Sequence, residues 1–476
     1  MSRPRTPSGP GAGPTAPDVA VRLGERFAAA GHDLALVGGS VRDLILRRPH
    51  TDLDFTTDAR PEQTEKVLHG WADAIWDVGR AFGTIGARHG DHVVEITTYR
   101  SEAYDRTSRK PDVVYGDSLD DDLVRRDFTV NAMALALPSL EFVDPYGGLA
   151  DLAAGLLRTP GTPEQSFSDD PLRMMRAARF AAQLGFAVAP EVLTAMRDMA
   201  DRLGIVSAER VRDELTKLLL SDDPRTGLTL LVDTGIADVV LPELSALRLE
   251  IDEHHRHKDV HEHTLIVLEQ AIALEDEEVP GPDLVLRLAA LLHDIGKPAT
   301  RRFEAGGGVS FHHHEMVGAK LATKRLKALR YDKETVKAVS RLVELHLRFH
   351  GYGDGAWTDS AVRRYVTDAG PLLQRLHRLT RSDCTTRNAR KAQRLSRAYD
   401  DLERRIAELA EAEELARVRP DLDGEQIMAQ LGVGPGPVVG RAYRYLLELR
   451  MERGPLGEDE ARRELARWWS GQSQPG

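Results

Sequence analysis

The stretch Leu36-Val37-Gly38-Gly39-Ser40-Val41-Arg42-Asp43, followed by Asp52-Leu53-Asp54, places a glycine turn, a helix start and two alternating acids in one short unit. Residues 33–37 read as a short buried strand. Gly38, Gly39 and Ser40 then turn the chain, and Val41 to Arg48 read as a helix. A helix N-terminus offers unpaired N–H groups and a partial positive charge, which suit a phosphate. Thr51 to Thr56 reads as a second strand. Side chains alternate along a strand, so Asp52 and Asp54 share one face while Leu53 and Phe55 share the other. Two carboxylates on one face at a strand edge can hold one or two Mg²⁺ ions. A phosphate cradle beside metal carboxylates is the equipment of nucleotidyl or phosphoryl transfer.

A second set of ligand types lies downstream. His293-Asp294 follows an apolar helical run, Leu284 to Leu292. His263 stands upstream in His261-Glu262-His263-Thr264, and His312-His313-His314-Glu315, His346 and Asp383 follow. Imidazole and carboxylate together suit a transition metal such as Ni²⁺, Mn²⁺, Co²⁺ or Fe²⁺ better than Mg²⁺, which prefers oxygen. Adjacent His293 and Asp294 both reach an ion only if the helix ends near Ile295-Gly296, and Gly296-Lys297-Pro298 supplies that break.

The rest of the chain must position these groups. Its 476 residues suffice for three or four domains. An apolar content of 41% with 29% charged is ordinary for a globular chain. The one cysteine, Cys384, permits no internal disulfide and fits a reducing cytoplasm. Residues 1 to 17 are Pro/Gly/Ser-rich and read as disordered, without the apolar core of a signal peptide. No run approaches the ~20 apolar residues of a membrane span. The net charge of −11 argues mildly against a nucleic-acid partner. However, the acids cluster at Asp117 to Asp122 and Glu275 to Glu278, while basic runs occur at Lys320 to Arg330 and Arg387 to Arg394, and a phosphate backbone is met by local patches.

Residues 18 to 150 mix strands with helices; Ala74 to Val78, Gly83 to Arg88 and His92 to Thr98 read as strands. The last alternates, so Glu95 faces with Val93 and Thr97 and is a candidate third carboxylate. Arg125-Arg126-Asp127-Phe128-Thr129-Val130-Asn131-Ala132 opens a helix-like apolar segment, with Asp127 and Asn131 four apart on one face and the arginines placed to hold phosphates. From 151 onward the pattern is almost wholly helical. Asp169-Asp170-Pro171-Leu172-Arg173 begins a helix carrying Arg173, Arg176 and Arg179 at three-residue spacing. Gly434-Pro435-Gly436-Pro437 precedes a final amphipathic segment, Val438 to Met451.

The order of strand, Gly-Gly-Ser turn, helix and Asp-x-Asp strand resembles the nucleotidyltransferases of the polymerase-beta superfamily. Gly-Gly-x-Val-Arg-Asp resembles the class II branch of bacterial CCA-adding enzymes and poly(A) polymerases. The resemblance covers residues 30 to 385. It implies an α+β fold: a polymerase-beta-like nucleotidyltransferase head with a mixed sheet, then an all-α neck, an HD body and a tail. The implied boundaries are 1–17 for the N-terminus, 18–150 for the head, 151–245 for the neck, 246–385 for the HD domain and 386–476 for the tail.

It further implies catalytic Asp52 and Asp54 with Mg²⁺. The implied nucleotide-binding residues are Gly38, Gly39, Ser40, Arg42, Arg125, Arg126, Asp127, Asn131, Asp170, Arg173, Arg176 and Arg179. Within the family's pattern Asp144-Pro145-Tyr146-Gly147-Gly148 is a hinge. Asp170 and Arg173 hydrogen-bond the Watson–Crick edge of the incoming base, and Glu209 to Glu214 positions that helix. This chain has Asp169 where the family has Glu. The downstream set resembles HD phosphohydrolases, with His263, His293, Asp294 and Asp383 as ligands and His314 and His346 as extra ones.

The implied activity is addition of C, C and A to tRNA 3′ ends from CTP and ATP. Three alternatives remain: a poly(A) polymerase or partial adder, an HD phosphohydrolase with a vestigial head, and a noncatalytic RNA scaffold. A long polar segment from Tyr99 to Leu119 favours full addition. The expected setting is the cytoplasm, with no membrane partner. The sequence leaves the oligomeric state open.

Overall fold

The structure is a computed structural model that describes residues 16–48, 52–103, 112–116, 118–248, 260–304, 309–352, 357–385, 388–413 and 419–472. Of residues 1–17, expected to be disordered, 1–15 lie outside the described ones, while Ala16 is buried and Pro17 caps the first helix. The chain divides into two compact units, Met1–Leu241 and Pro242–Gly476.

The first unit opens with helix Asp18–Ala29, which buries Ala20, Leu23, Gly24 and Phe27 at helical spacing. A seven-stranded mixed sheet follows. Its strands are β1 (Leu34–Val37), β2 (Asp52–Thr57), β3 (Ala74–Trp76), β4 (Thr84–His89) and β5 (His92–Thr98), then β8 (Ala134–Leu137) and β9 (Phe142–Val143). Their order is β3-β4-β5-β2-β1-β8-β9. Two further strands, β6 (Arg100–Ala103) and β7 (Asp112–Tyr115), pair separately and antiparallel. They lie in the segment expected to be one polar loop; residues 104–111 and 117 of it lie outside the described residues. β2 pairs β5 in parallel and β1 antiparallel, so the acids sit on an interior strand of the sheet.

Two expectations need correction. The helix after the glycine turn runs Gly39–Ile45, starting two residues earlier than expected and ending sooner. The segment after Arg125 is not a helix. A single 3-10 turn, Thr129–Asn131, leads straight into β8, which lies between β1 and β9. Ala132, Met133, Ala134, Leu135 and Leu137 are buried, and a strand covered on both faces shows an apolar run without alternation. Periodicity cannot separate such a run from a helix.

Helices Leu172–Leu184, Ala208–Leu219 and Pro224–Asp233 pack together after the head. In the second unit, helices Val260–Ala273, Leu284–Leu292, His314–Ala328, Lys333–Leu345 and Leu373–Ser382 form the body. The segment expected to be last is helix Pro437–Arg453, yet a further helix, Glu458–Gln472, follows it. With Gly424–Leu431 these enclose a small core of Ile427, Leu446, Leu449 and Leu465.

Candidate functional site

β1 ends at Val37, and Gly38 turns the chain with φ +70°, a left-handed conformation open to glycine at little cost. A Cβ there would stand 2.9 Å from Arg126 Nη1, so the bare backbone lets that guanidinium close on the turn. Ser40 does something the sequence did not suggest. Its hydroxyl accepts from the Asp54 amide at 3.0 Å and donates to the Asp52 carbonyl at 3.3 Å, pinning β2 beside the turn.

Along β2 the burial alternates as expected, with Asp52 and Asp54 outward and Leu53 and Phe55 in the core. Asp54 registers with Glu95 on β5, so the three carboxylates converge on one face. Partial desolvation raises the Asp54 carboxyl above its ordinary range; Arg126 draws it back and Asp52 pushes it further up. Partial burial, then Asp54 and Asp52, raises Glu95 likewise. Asp54 and Glu95, crowded and resistant to ionising, are what a divalent cation would relieve.

The cationic side is held by buried acids. Asp122 is fully buried and accepts from Arg126 Nη2 at 3.0 Å and from Arg125 Nε at 3.1 Å. Burial opposes its ionisation, but Arg126 and Arg125 outweigh this and lower its pKa. Sequence reading passed Asp122 over as part of an acidic run. Its spacing of three and four residues before the two arginines was the available signal.

A polar chain then runs from the turn into the neck. Arg42 Nη1 donates to Asn131 Oδ1 at 2.6 Å, and Asn131 Nδ2 donates to Asp127 Oδ1 at 2.9 Å. Arg176 Nε donates to Asp127 Oδ2 at 2.8 Å. Burial would raise the Asp127 pKa, but Arg176 and the Asn131 hydrogen bond hold it well below the carboxylate range. Arg179 Nε donates to Glu214 Oε2 at 2.6 Å, and its guanidinium lies 4.1 Å from the centre of the Phe180 ring.

Asp170 and Arg173 sit at the start of helix Leu172–Leu184. Asp170 Oδ2 accepts from Arg210 at 2.7 Å, while its Oδ1 accepts from the Leu172 amide at 3.1 Å. Arg173 donates to Ser166 Oγ at 2.9 Å and to the Arg125 carbonyl. Arg210 and Glu214 lie on helix Ala208–Leu219, so that helix grips the helix carrying Asp170 and Arg173. Asp144 caps helix Gly148–Ala154 through the Gly148 amide at 2.7 Å and the Leu149 amide at 2.9 Å.

In the second unit all six expected ligands come together. Helix Leu284–Leu292 stops with His293 as its cap, ahead of the expected break near Ile295-Gly296. A Cβ on Gly296 would lie 2.0 Å from the His314 carbonyl oxygen, so only glycine lets these segments approach. The donor atoms of His263, His293 and Asp383 form one group and those of Asp294, His314 and His346 another, each within 4.8 Å. His293 Nδ1 donates to the Ala290 carbonyl at 2.8 Å, His314 Nδ1 to Phe311 at 2.8 Å and His346 Nδ1 to Val343 at 2.6 Å. A carbonyl only accepts, so each Nδ1 carries a hydrogen and each ring turns its Nε2 inward. Those three Nε2 atoms are buried without a hydrogen-bond partner. Burial, then His293, lowers His346 to about 4, which keeps it neutral at pH 7. Burial would raise Asp383, but the His263 hydrogen bond and His293 hold it below the carboxylate range. Orphaned imidazole nitrogens beside ionised carboxylates fit a divalent transition metal.

Three family models match. One described as the poly A polymerase head domain covers residues 34–158. A second, described as a probable RNA and SrmB-binding site of polymerase A, covers 185–247. The third, the HD domain, covers 260–414. The A-adding tRNA nucleotidyltransferase of Deinococcus radiodurans is 36% identical over 445 residues, 91% of this chain and 95% of that one. The CC-adding tRNA nucleotidyltransferase of Thermus thermophilus is 32% identical over 446 residues, 91% of this chain and 93% of that one. Among solved structures, the Bacillus stearothermophilus CCA-adding enzyme in complex with CTP superposes with a TM-score of 0.66 at 25% identity, covering 95% of this chain and 97% of that one. The chain therefore belongs to the bacterial tRNA nucleotidyltransferases that combine a poly(A)-polymerase-type head with an HD domain.

Proposed function

We propose that this protein adds C, C and A to the 3′ ends of tRNA from CTP and ATP, releasing pyrophosphate. The observation that carries the reading is the convergence of Asp52, Asp54 and Glu95 beside the Gly38 turn and Arg126. Mg²⁺ held by Asp52 and Asp54 would lower the pKa of the attacking 3′-hydroxyl and neutralise charge on the leaving pyrophosphate. The chain's own groups do the rest. Arg42, Arg125 and Arg126 meet the triphosphate with the amides of Gly38 and Gly39. Asp127 and Asn131 hold Arg42 and the neck arginines in line. Asp170 and Arg173 read the base, one offering acceptors and the other donors, so that the protein serves as template.

The test uses purified protein, each labelled nucleotide in turn, and tRNA ending before the first C, after C, and after C-C. Complete addition on all three primers supports the reading. Extension of only the C-C primer would assign A-adding, and failure to extend it CC-adding; those are the names carried by the Deinococcus and Thermus relatives.

The HD centre carries a second activity in this reading. The three unpartnered Nε2 atoms favour Mn²⁺, Ni²⁺, Co²⁺ or Fe²⁺, and the centre hydrolyses phosphomonoesters or 2′,3′-cyclic phosphates. Metal content with hydrolysis assays across these ions tests it; no bound metal and no hydrolysis would leave the HD residues as structure alone. Among the described residues no helix is long and apolar enough to cross a membrane. A single cysteine agrees with action in the reducing cytoplasm, where tRNA is at hand.

A further inference from the structure

The row that carries the carboxylates continues past them. Asp54 on β2 registers with Glu95 on β5, Glu95 with Gly86 on β4, and Gly86 with Trp76 on β3. Residues directly opposite one another across paired strands share a face, so Trp76 stands on the face of the three acids, about 10 Å and two strands beyond Glu95. Gly86 makes room for its ring. A Cβ there would lie 2.0 Å from Trp76 Nε1 and 2.3 Å from its Cε2, so the indole reaches from the edge strand over β4 toward Glu95. The residue is half-buried and no part of the core.

The neighbouring row of Asp52, Val93, Arg88 and Ala74 puts a cation on the same face. Arg88 is exposed and, among the described residues, joins no ion pair. The triphosphate side lies the other way. The Gly38 turn follows β1 and Arg126 closes on it, so incoming phosphates meet the carboxylates from the β1 side. In phosphoryl transfer the attacking and leaving oxygens stand roughly in line. The RNA 3′-hydroxyl therefore comes from the side of β5 and β4, and the base of its nucleotide extends toward β3.

We propose that Trp76 and Arg88 form a platform for the single-stranded 3′ end of the RNA. The indole stacks on the base of the terminal nucleotide, and the Arg88 guanidinium pairs with a phosphate of the same strand. The terminal base changes as nucleotides are added, while every base has a π-face that an indole can meet. Stacking thus holds each successive 3′ end at the metal carboxylates and leaves the choice of incoming nucleotide to Asp170 and Arg173. This inference rests on nucleotide addition at Asp52 and Asp54, and the experiment separates the two.

The full chain is assayed with Mg²⁺, CTP and ATP on a stem–loop RNA with a single-stranded C or C-C end, and on the same RNA whose last nucleotide lacks its base. The wild type should extend both, with KM for the abasic RNA about tenfold higher. Trp76→Ala should raise KM for the intact RNA about tenfold, with no further rise on the abasic one, while KM for the nucleotide at saturating RNA stays unchanged. Trp76→Phe should recover most of the loss. An abasic penalty as large in Trp76→Ala as in the wild type, or a nucleotide KM raised as much as the RNA KM, would overturn the stacking. A second measurement needs no alanine variant: bound RNA should quench tryptophan emission less in Trp76→Phe than in the wild type, and equal quenching would overturn the stacking too. Arg88→Gln should make the fall of RNA affinity with salt shallower by about one unit of the log–log slope, and an unchanged slope would overturn the phosphate contact. Failure of the wild type to extend either RNA would overturn the addition reading along with the platform. Ordinary addition by Trp76→Ala, matching the wild type on both RNAs, would overturn the platform alone.

Discussion

The head and the HD centre both gather carboxylates, yet they are built in opposite ways. The head places Asp52 and Asp54 outward on one strand with oxygen ligands alone, flanked by arginines that have partners of their own. The HD centre gathers four imidazoles and two carboxylates among helices, burying His293, Asp294, His314 and His346 and half-burying His263 and Asp383, with each ring fixed through its Nδ1. An oxygen-only, half-open site holds Mg²⁺ well only when substrate phosphates complete its coordination. A closed imidazole set needs no substrate to hold its ion. The first design suits a site that must admit both a tRNA end and a nucleotide. The second suits a resident metal.

The sharpest way to break this contrast is to remove the open site. Asp52→Ala and Asp54→Ala should each lower nucleotide addition by roughly a thousandfold or more, since a lost metal carboxylate forfeits several kcal/mol of transition-state stabilisation. Circular dichroism should stay unchanged, because both side chains face outward and the Ser40 bonds to β2 use only its backbone. Near-normal incorporation by either variant would remove these residues from the chemistry.

Emptying the closed site is the next test. His293→Ala/Asp294→Ala should lose its bound transition metal and any phosphohydrolase activity while keeping most CCA addition, because all the HD ligands lie in the second unit and the addition machinery in the first. Equal loss of both activities would mean that the two centres are coupled.

A smaller effect is expected at the base-reading residues. Arg173→Ala should impair CTP and ATP use and relax discrimination against UTP and GTP, by about 10- to 100-fold in relative kcat/KM for one or two lost hydrogen bonds. Arg173 also donates to the Arg125 carbonyl, so a uniform fall for all four nucleotides would signal a disturbed head instead of a lost template.

These sites were legible to different depths, for physical reasons. Asp52 and Asp54 could be read because a strand's period of two fixes facing from sequence alone. His293-Asp294 could be read because an apolar helical run followed by Gly296-Lys297-Pro298 leaves a recognisable break. The segment after Arg125 could not, because Ala132 to Leu137 is buried in mid-sheet and loses the alternation that marks a strand. The resemblance implies Ser40 as a nucleotide-binding residue, and its hydroxyl also ties β2 to the turn. Its actual partners lie 12 and 14 residues away in sequence, a tertiary fact no local pattern carries. Asp122 was legible by contrast, since its spacing of three and four residues before Arg125 and Arg126 marks the pairing locally, but an acidic run hides it.

The subtlest test of the open design concerns Glu95 in the metal-free head. Partial burial and its neighbours Asp54 and Asp52 raise this carboxyl's pKa. A raised folded pKa means that the native state binds the proton more tightly than the unfolded chain. Stability therefore falls as pH rises from the ordinary carboxylate value through the raised one, and above that window the ionised group opposes folding. Glu95→Gln removes that penalty. Without metal, its unfolding temperature should lie slightly above the wild type's at pH 7, with the gap vanishing once the pH drops below the ordinary carboxylate range. Added Mg²⁺ should narrow the gap at pH 7, because an ion that binds only the native state stabilises by mass action and the variant has lost one of its ligands. Addition should slow in the variant at the same time. A variant less stable than wild type at pH 7 without metal, or a gap indifferent to Mg²⁺, would mean that Glu95 does not share the ion with Asp52 and Asp54.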